Sequence, residues 1–490
     1  MHDTSRRPEH HHSPTPGRRS FLIGALATAA AATAGGVASG AGAAPVAAAE
    51  PVSPDAVPTL TVVVASSAHP TVAAALAAVP DGGTLVVDRS ESVAAPLVVD
   101  RPTTVVFGPS VVLTATADCT VFDVRSSDVR IVDATLVGTG AGRTGAGRGI
   151  VVTGTAAAPV ERVSVEDSHF SSFSHTALLA TNVVGLEVVA CTISDVGYAG
   201  VLLVSCSDSV VRGCTITDVR QPPGYVNAYG IAVTRDESRS LTESPRSVRV
   251  TVDGNTVRGV PRWEGIDTHA GESIVIRGND VSGCAVGIAV VPCQNAATPQ
   301  EYVYAPTDVV VTGNHVERGA STGTGSGIMI KGAGSTVASA SERATAVVEG
   351  NVVVGMGGGD REAGILLYLT RDVVVRGNTL SGCVTRGLSL YHSNDATLVV
   401  GNTVEGLALG TGASIAAAFE VRSASNTATF VGNAYRVSSG SGPVSTPVPV
   451  RGVSVPGSGN VLDLVRNDWS ATTLPVYGRA STITRFADGP

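Results

Sequence analysis

Residues 246–271 read RSVRVTVDGNTVRGVPRWEGIDTHAG. Val248, Val250 and Val252 alternate with polar residues, the period of a strand with one face buried. Gly254-Asn255 turns the chain, Thr256-Val257 opens a second short run, and a loop leads to Gly265-Ile266-Asp267-Thr268-His269. Much of the remaining chain is built from imperfect copies of this unit. In this copy alone the last strand carries both an Asp and a His.

The copies are marked by a Gly-Asn pair: Gly254, Gly278, Gly313, Gly350, Gly377, Gly401 and Gly432 each precede Asn, with gaps of 24, 35, 37, 27, 24 and 31. Gly213-Cys214-Thr215-Ile216 and Ala190-Cys191-Thr192-Ile193 put Cys in the Asn place. A period near 24 with three short strands predicts an all-β chain folded as a single-stranded right-handed parallel β-helix over about residues 84–435. Hairpins would also use Gly-Asn turns, but they would not hold one register over seven copies. Stacked Asn side chains can hydrogen-bond along such a stack and satisfy the turn backbone.

A second anchor is a Gly followed by an aliphatic residue, as at Gly230-Ile231, Gly265-Ile266, Gly287-Ile288, Gly327-Ile328, Gly364-Ile365 and Gly387-Leu388. Alternation sends these aliphatics inward and the next residue outward. One outward column holds Asp267, and the other runs through His269, Lys331, Tyr368 and Tyr391. Long connections enter or leave this strand at both ends, including Gln221–Tyr229, Arg235–Pro245 and Pro292–Pro306. Loops on both sides of one sheet face predict a groove suited to a linear polymer.

The ends read differently. Arg18-Arg19 before an Ala-rich apolar run, with Ala47-x-Ala49 after it, reads as a twin-arginine export signal over 1–49, hence a secreted or cell-surface protein. The run is too short and Gly/Ala-rich for a membrane span. Residues 50–83 read as a linker and N-terminal cap, with a short helix at Thr71–Val79 covering the first coil. Residues 436–490, with Trp469 and Phe486, read as a C-terminal cap, tail or subunit contact, and oligomeric state is undecided.

Composition supports the strand reading: 43% of the 490 residues are apolar, with 57 Gly but only 8 Phe and 2 Trp. Without residues 1–49 the chain has 29 basic and 39 acidic side chains, a net charge of −10. With no basic stripe, nucleic acid is excluded as a partner class. Of seven Cys, Cys191 and Cys214 fall at equivalent repeat positions and read as a stacked interior pair, not a disulfide.

The repeat resembles the pectate-lyase-like β-helix superfamily, which by itself implies only a fold. Gly265-Ile266-Asp267-Thr268-His269 is similar to the Tyr-Gly-(Phe/Ile)-Asp-Pro-His signature of mannuronan C5-epimerases, through Gly265, Asp267 and His269. Glu264 stands at the family's Tyr and Thr268 at its Pro, while Tyr229-Gly230-Ile231 supplies a Tyr-Gly-Ile one coil earlier. The paired-Asp and Gly-His-Gly set of polygalacturonases and the Trp-Ile-Asp-His strand of pectate lyases are missing. No Gly-Gly-x-Gly-x-Asp nonapeptide is present, so no calcium roll is expected. No metal ligand set or cofactor is assigned, and a lone calcium ion is left open.

The resemblance implies proton abstraction at C5 of a uronate, with reprotonation giving an epimer or loss of the leaving oxygen giving a lyase product. The catalytic candidates are His269 as base or acid, Asp267 beside it, Tyr229 as a second proton-transfer group, and Lys331 as a neutralising cation. Arg235, Trp263, Glu264, Tyr368 and Tyr391 are candidate substrate contacts. A hydrolase or transglycosylase using the Glu264 and Asp267 carboxylates is an alternative. A non-catalytic glycan- or cell-wall-binding β-helix is another.

Overall fold

Val-rich alternation with one polar residue between buried ones produces short strands that hide a single face. Stacking those strands coil upon coil is how this chain closes its core. The structure is a computed structural model that describes residues 62–295, 298–319, 323–334, 342–437, 448–478 and 483–487. The expected export signal lies outside the described residues.

Each coil gives one strand to each of three parallel sheets, of 16, 14 and 13 strands among the described residues. The pairing skips two strands at most steps, so Tyr229–Thr234 lies against Glu264–His269, which lies against Val286–Val291. This is a parallel β-helix. Its sheets extend past the expected limits: Val63–Ala65 pairs with Thr84–Val86, and Val461–Val465 pairs with the strand Ile483–Ala487. Much of the expected tail thus continues the stack, and Trp469 is buried against Phe419 with ring centroids 5.4 Å apart. The side chain of Phe486 lies outside the described residues. The short helix spans Val72–Ala78, capped by Thr71 Oγ1, which accepts from Ala74 N, and Val72, Ala75 and Leu76 enter the core.

Ile231, Ile266, Ile288, Ile328, Ile365 and Leu388 form one inward row in register, all fully buried. The Gly before each is required by crowding. A Cβ on Gly265 would sit 2.8 Å from Gly287 O and 2.5 Å from Val281 Cγ1 of the neighbouring sheet.

The Gly-Asn turns stack as expected. The seven glycines have φ between 60° and 63°, a region costly for residues with a Cβ. Asn255, Asn279, Asn314, Asn351, Asn378, Asn402 and Asn433 form a ladder in which each Oδ1 accepts from the preceding Asn. Asn467 adds a rung that the repeat spacing hid, because Arg466 (φ 54°) stands where Gly would. A second ladder of Asn394, Asn426 and Asn460 runs at another corner. Cys191 and Cys214 are buried thiols, and no described cysteine is in a disulfide.

The 14-stranded sheet differs from the others at its middle. In the 16-stranded sheet, strands such as Val275–Arg277 expose their outer face. In the 14-stranded sheet, Ala199–Val204 is buried throughout, and Thr176–Thr181, Tyr229–Thr234 and Glu264–His269 are buried on both faces except at their last residues. A second cluster of Leu179, Tyr198, Leu202, Tyr229 and Ala232 covers the outside there.

Candidate active site

The covered part of the sheet holds the unusual side chains. Asp267 and His269 share the outer face, as residues two apart on a strand must. Their burial corrects the expected open groove: the Asp267 side chain is 0% exposed and that of His269 is 18% exposed. The site is roofed over, not open.

Part of the roof is the loop after Arg235. Asp236 accepts from Ser238 N and Oγ and from Arg239 Nε, and Ser244 Oγ accepts from Asp236 N. This self-closed turn carries Glu237 back over the sheet. Glu237 Oε1 lies 3.5 Å from His269 Nδ1, and Asp267 Oδ2 lies 3.1 Å from His269 Nε2. The imidazole is thus held between two carboxylates. Burial works against its charged form, but the Asp267 charge and both carboxylate contacts outweigh it and hold the His269 pKa well above the usual histidine value. Both carboxylates thus favour the charged form of the ring, the form that can act as an acid. Burial raises the Asp267 carboxyl against the opposing pull of His269.

Tyr229 pairs in register with Glu264, and its ring stands perpendicular to His269 with centroids 6.3 Å apart. Its hydroxyl accepts from Asn227 Nδ2. Tyr198 lies behind it at 5.7 Å. Burial pushes both phenols far above their usual pKa, so they keep their protons and can both donate and accept a hydrogen bond. Glu264 is buried, and Trp263 packs between the core and the outer cluster with its indole N–H lacking a partner. Glu264, Asp267 and His269 place ligand atoms within 4.8 Å of one another, and Asp267 Oδ1 is buried without a hydrogen bond. This oxygen-and-imidazole donor set fits a divalent cation.

Four expected members play other parts. Arg235 is buried and structural: its guanidinium donates to Ser244 O, Arg239 O and Gln294 O, and it stacks on Tyr304. With Arg246, which pairs with Glu342, it ties the surrounding loops together, so it has little left to offer a substrate. Lys331 is two strands further along, its ammonium over the Tyr368 ring at 5.4 Å. Tyr368 and Tyr391 touch each other there, not the Asp267 pocket. Sequence reading missed Glu237 and Tyr198. The long connection at Arg235–Pro245 marked a wall of the site, but nothing in its spacing shows which side chain folds inward.

A family profile described as right handed beta helix region matches residues 118–292, and one described as periplasmic copper-binding protein (NosD) matches 248–441. No curated protein matches the sequence. Among solved structures, the catalytic unit of an α-1,3-glucanase from Streptomyces thermodiastaticus is 16% identical, with a TM-score of 0.51, over 87% of this chain and 71% of its own. The tailspike of E. coli bacteriophage HK620, solved with a pentasaccharide, is 13% identical, with a TM-score of 0.50, over 76% and 71%. The A-module of an Azotobacter vinelandii mannuronan C-5 epimerase is 13% identical, with a TM-score of 0.41, over 83% and 91%. The chain spans 62% to 71% of the tailspike and glucanase chains it matches. No described helix is long and apolar enough to cross a membrane. At these identities the likeness is one of fold: with the stacked parallel sheets and the profile match over 118–292, the chain has the right-handed parallel β-helix fold.

Proposed function

We propose that the protein is an exported enzyme acting on an acidic polysaccharide by proton transfer at C5 of a uronate unit, ending in epimerisation or β-elimination. The observation that carries this is the His269 imidazole, set between the Asp267 and Glu237 carboxyl groups and facing Tyr229. His269 supplies a proton to C5 or to the leaving oxygen. Glu237, whose side chain is 24% exposed, is the carboxylate that a sugar can reach, and it serves as the base. Asp267 has no exposed side-chain atom, so it is a positioning residue that keeps His269 charged and oriented.

The same burial weighs against hydrolysis by Glu264 and Asp267. A glycosidase needs both carboxyl groups at the anomeric carbon, and both of these lie under the roof. Product analysis decides: unsaturated uronate absorbs in the ultraviolet, and hydrolysis yields new reducing ends without that absorbance.

A second reading has a specific observation behind it. Glu264, Asp267 and His269 would hold a divalent cation, and a Cu(II) ion accepts such nitrogen and oxygen donors. Metal analysis of purified protein, with Asp267→Asn as the control, tests it. Stoichiometric metal lost in the variant would make these residues ligands.

A further inference from the structure

The site at His269 sets three carboxyl groups around a single imidazole, so it has no positive surplus with which to hold an anionic polymer. The cations are further along the same face. The chain has a single lysine, Lys331. It lies in register with Tyr368, and the row continues through Tyr391 to Arg422. These residues form one contiguous group. Lys331 Nζ is 5.4 Å from the Tyr368 ring centre, the two tyrosine rings are 5.3 Å apart, and the Arg422 guanidinium is 5.5 Å from the Tyr391 ring. Arg361, on the adjoining loop, covers Tyr391 at 5.2 Å, and His392 packs on both rings.

Several of these groups retain binding capacity. Arg422 Nη2 donates to Asp360 at 2.7 Å, but Nη1 is out of water and makes no hydrogen bond. Among the described residues no carboxylate forms an ion pair with Arg361, which is exposed. Lys331, Tyr368 and Tyr391 are only partly buried. Aromatic faces bordered by cations suit a ring that carries a carboxylate: the ring's C–H face packs on tyrosine while the charge meets guanidinium or ammonium.

We propose that Lys331, Tyr368, Tyr391 and Arg422, with Arg361, form a binding track for anionic saccharide units, separate from the Asp267–His269 pocket. One side chain per coil, spaced ~4.8 Å, offers a contact at about every sugar unit of a chain laid along the stack. From His269 to Arg422 is five coil steps, roughly 24 Å at that spacing, so the polymer crosses several units between the pocket and the end of the track. The inference rests on reading the substrate as an acidic glycan, and it adds where the negative charge is recognised.

The test uses the full chain, a polymannuronate octamer and, as neutral control, maltooctaose. Titration calorimetry of wild type, Lys331→Gln and Tyr391→Ala gives affinities, and melting temperatures show that the variants fold. Each substitution is expected to weaken octamer binding about tenfold or more, the scale of one lost charged or stacking contact. Maltooctaose should bind to neither wild type nor variants. Saturating octamer should also slow reductive methylation of Lys331 several-fold, read on its peptide by mass spectrometry. Unchanged octamer affinity in both folded variants, or equal binding of maltooctaose, would overturn the track. Turnover by His269→Gln distinguishes this from failure of the proposed reaction: a dead His269→Gln beside unaltered Lys331→Gln and Tyr391→Ala removes the track alone.

Discussion

His269 Nε2 lies 3.1 Å from Asp267 Oδ2, yet only the histidine has surface that a substrate can touch. One strand thus supplies both the imidazole and the buried carboxyl group that favours its charged form. The spacing of two makes this pairing unavoidable once the strand is covered, because both side chains leave the same face. The covering makes it strong, because the charge acts in a medium less polar than water.

The first prediction follows from the sign of that coupling. The folded-state pKa of His269 is raised, so its stabilising contribution is complete below about 6.5, the ordinary histidine value, and is lost as pH rises through the folded pKa. Melting temperature measured from pH 6 to pH 10 should show wild type ahead of His269→Gln at the acid end and converging with it at the alkaline end. No advantage for wild type at the acid end would mean the imidazole is neutral throughout.

Asp267→Asn removes the anion and leaves a group of the same shape. As a positioning change, it should move the alkaline limb of the pH–activity profile towards lower pH, beyond any loss of turnover. An unshifted limb with reduced turnover would assign Asp267 a role that does not act through His269.

The Asn ladder carries a stability prediction. Asn314 Oδ1 accepts from Asn279 N and Nδ2, and its own Nδ2 donates to Ile276 O and Asn351 Oδ1. Asn314→Ala strands buried donors on one side and acceptors on the other. The expected loss is about 2–4 kcal/mol in chemical denaturation, from a penalty of about 1–3 kcal/mol for each buried group left unpaired. A loss below about 0.5 kcal/mol, the scatter of ordinary surface changes, would show that water replaces the rung.

Two histidines away from the pocket, His392 buried and His175 partly so, predict acid sensitivity. Burial, then nearby arginines, push His175 down to about 3 and His392 down to about 4. Their contribution is complete above about pH 6.5, the unfolded value, and falls as pH drops towards those folded values. Urea midpoints should fall between pH 6.5 and 4, and His175→Gln should fall less steeply than wild type.

How much was legible in the sequence differs between fold and site. Gly254-Asn255 and its six copies gave the coil period, and the Ile266 row gave the facing, because each position tolerates so few residues. A Cβ at Gly265 strikes the next coil, and an Asn off the ladder leaves its amide unpaired. Asp267 and His269 were visible as the odd pair on one strand. Glu237, Tyr198 and the structural use of Arg235 were not, because loop conformation is set by contacts such as Asp236 with Arg239 and Arg235 with Gln294, which no repeat enforces. The roof was hidden for the same reason: alternation tells inner from outer face, but not what lies upon the outer one.

The most direct test of the proposed chemistry is incubation of polymannuronate and polygalacturonate with the full chain in deuterated water, read by NMR at C5 and by ultraviolet absorbance. Epimerisation leaves solvent deuterium at C5, and elimination leaves absorbing unsaturated ends. Wild type should give one or the other on at least one polymer, and His269→Gln should reduce it about a hundredfold or more, the scale of losing a general acid. New reducing ends with neither deuterium nor absorbance, undiminished in His269→Gln, would contradict proton transfer at C5.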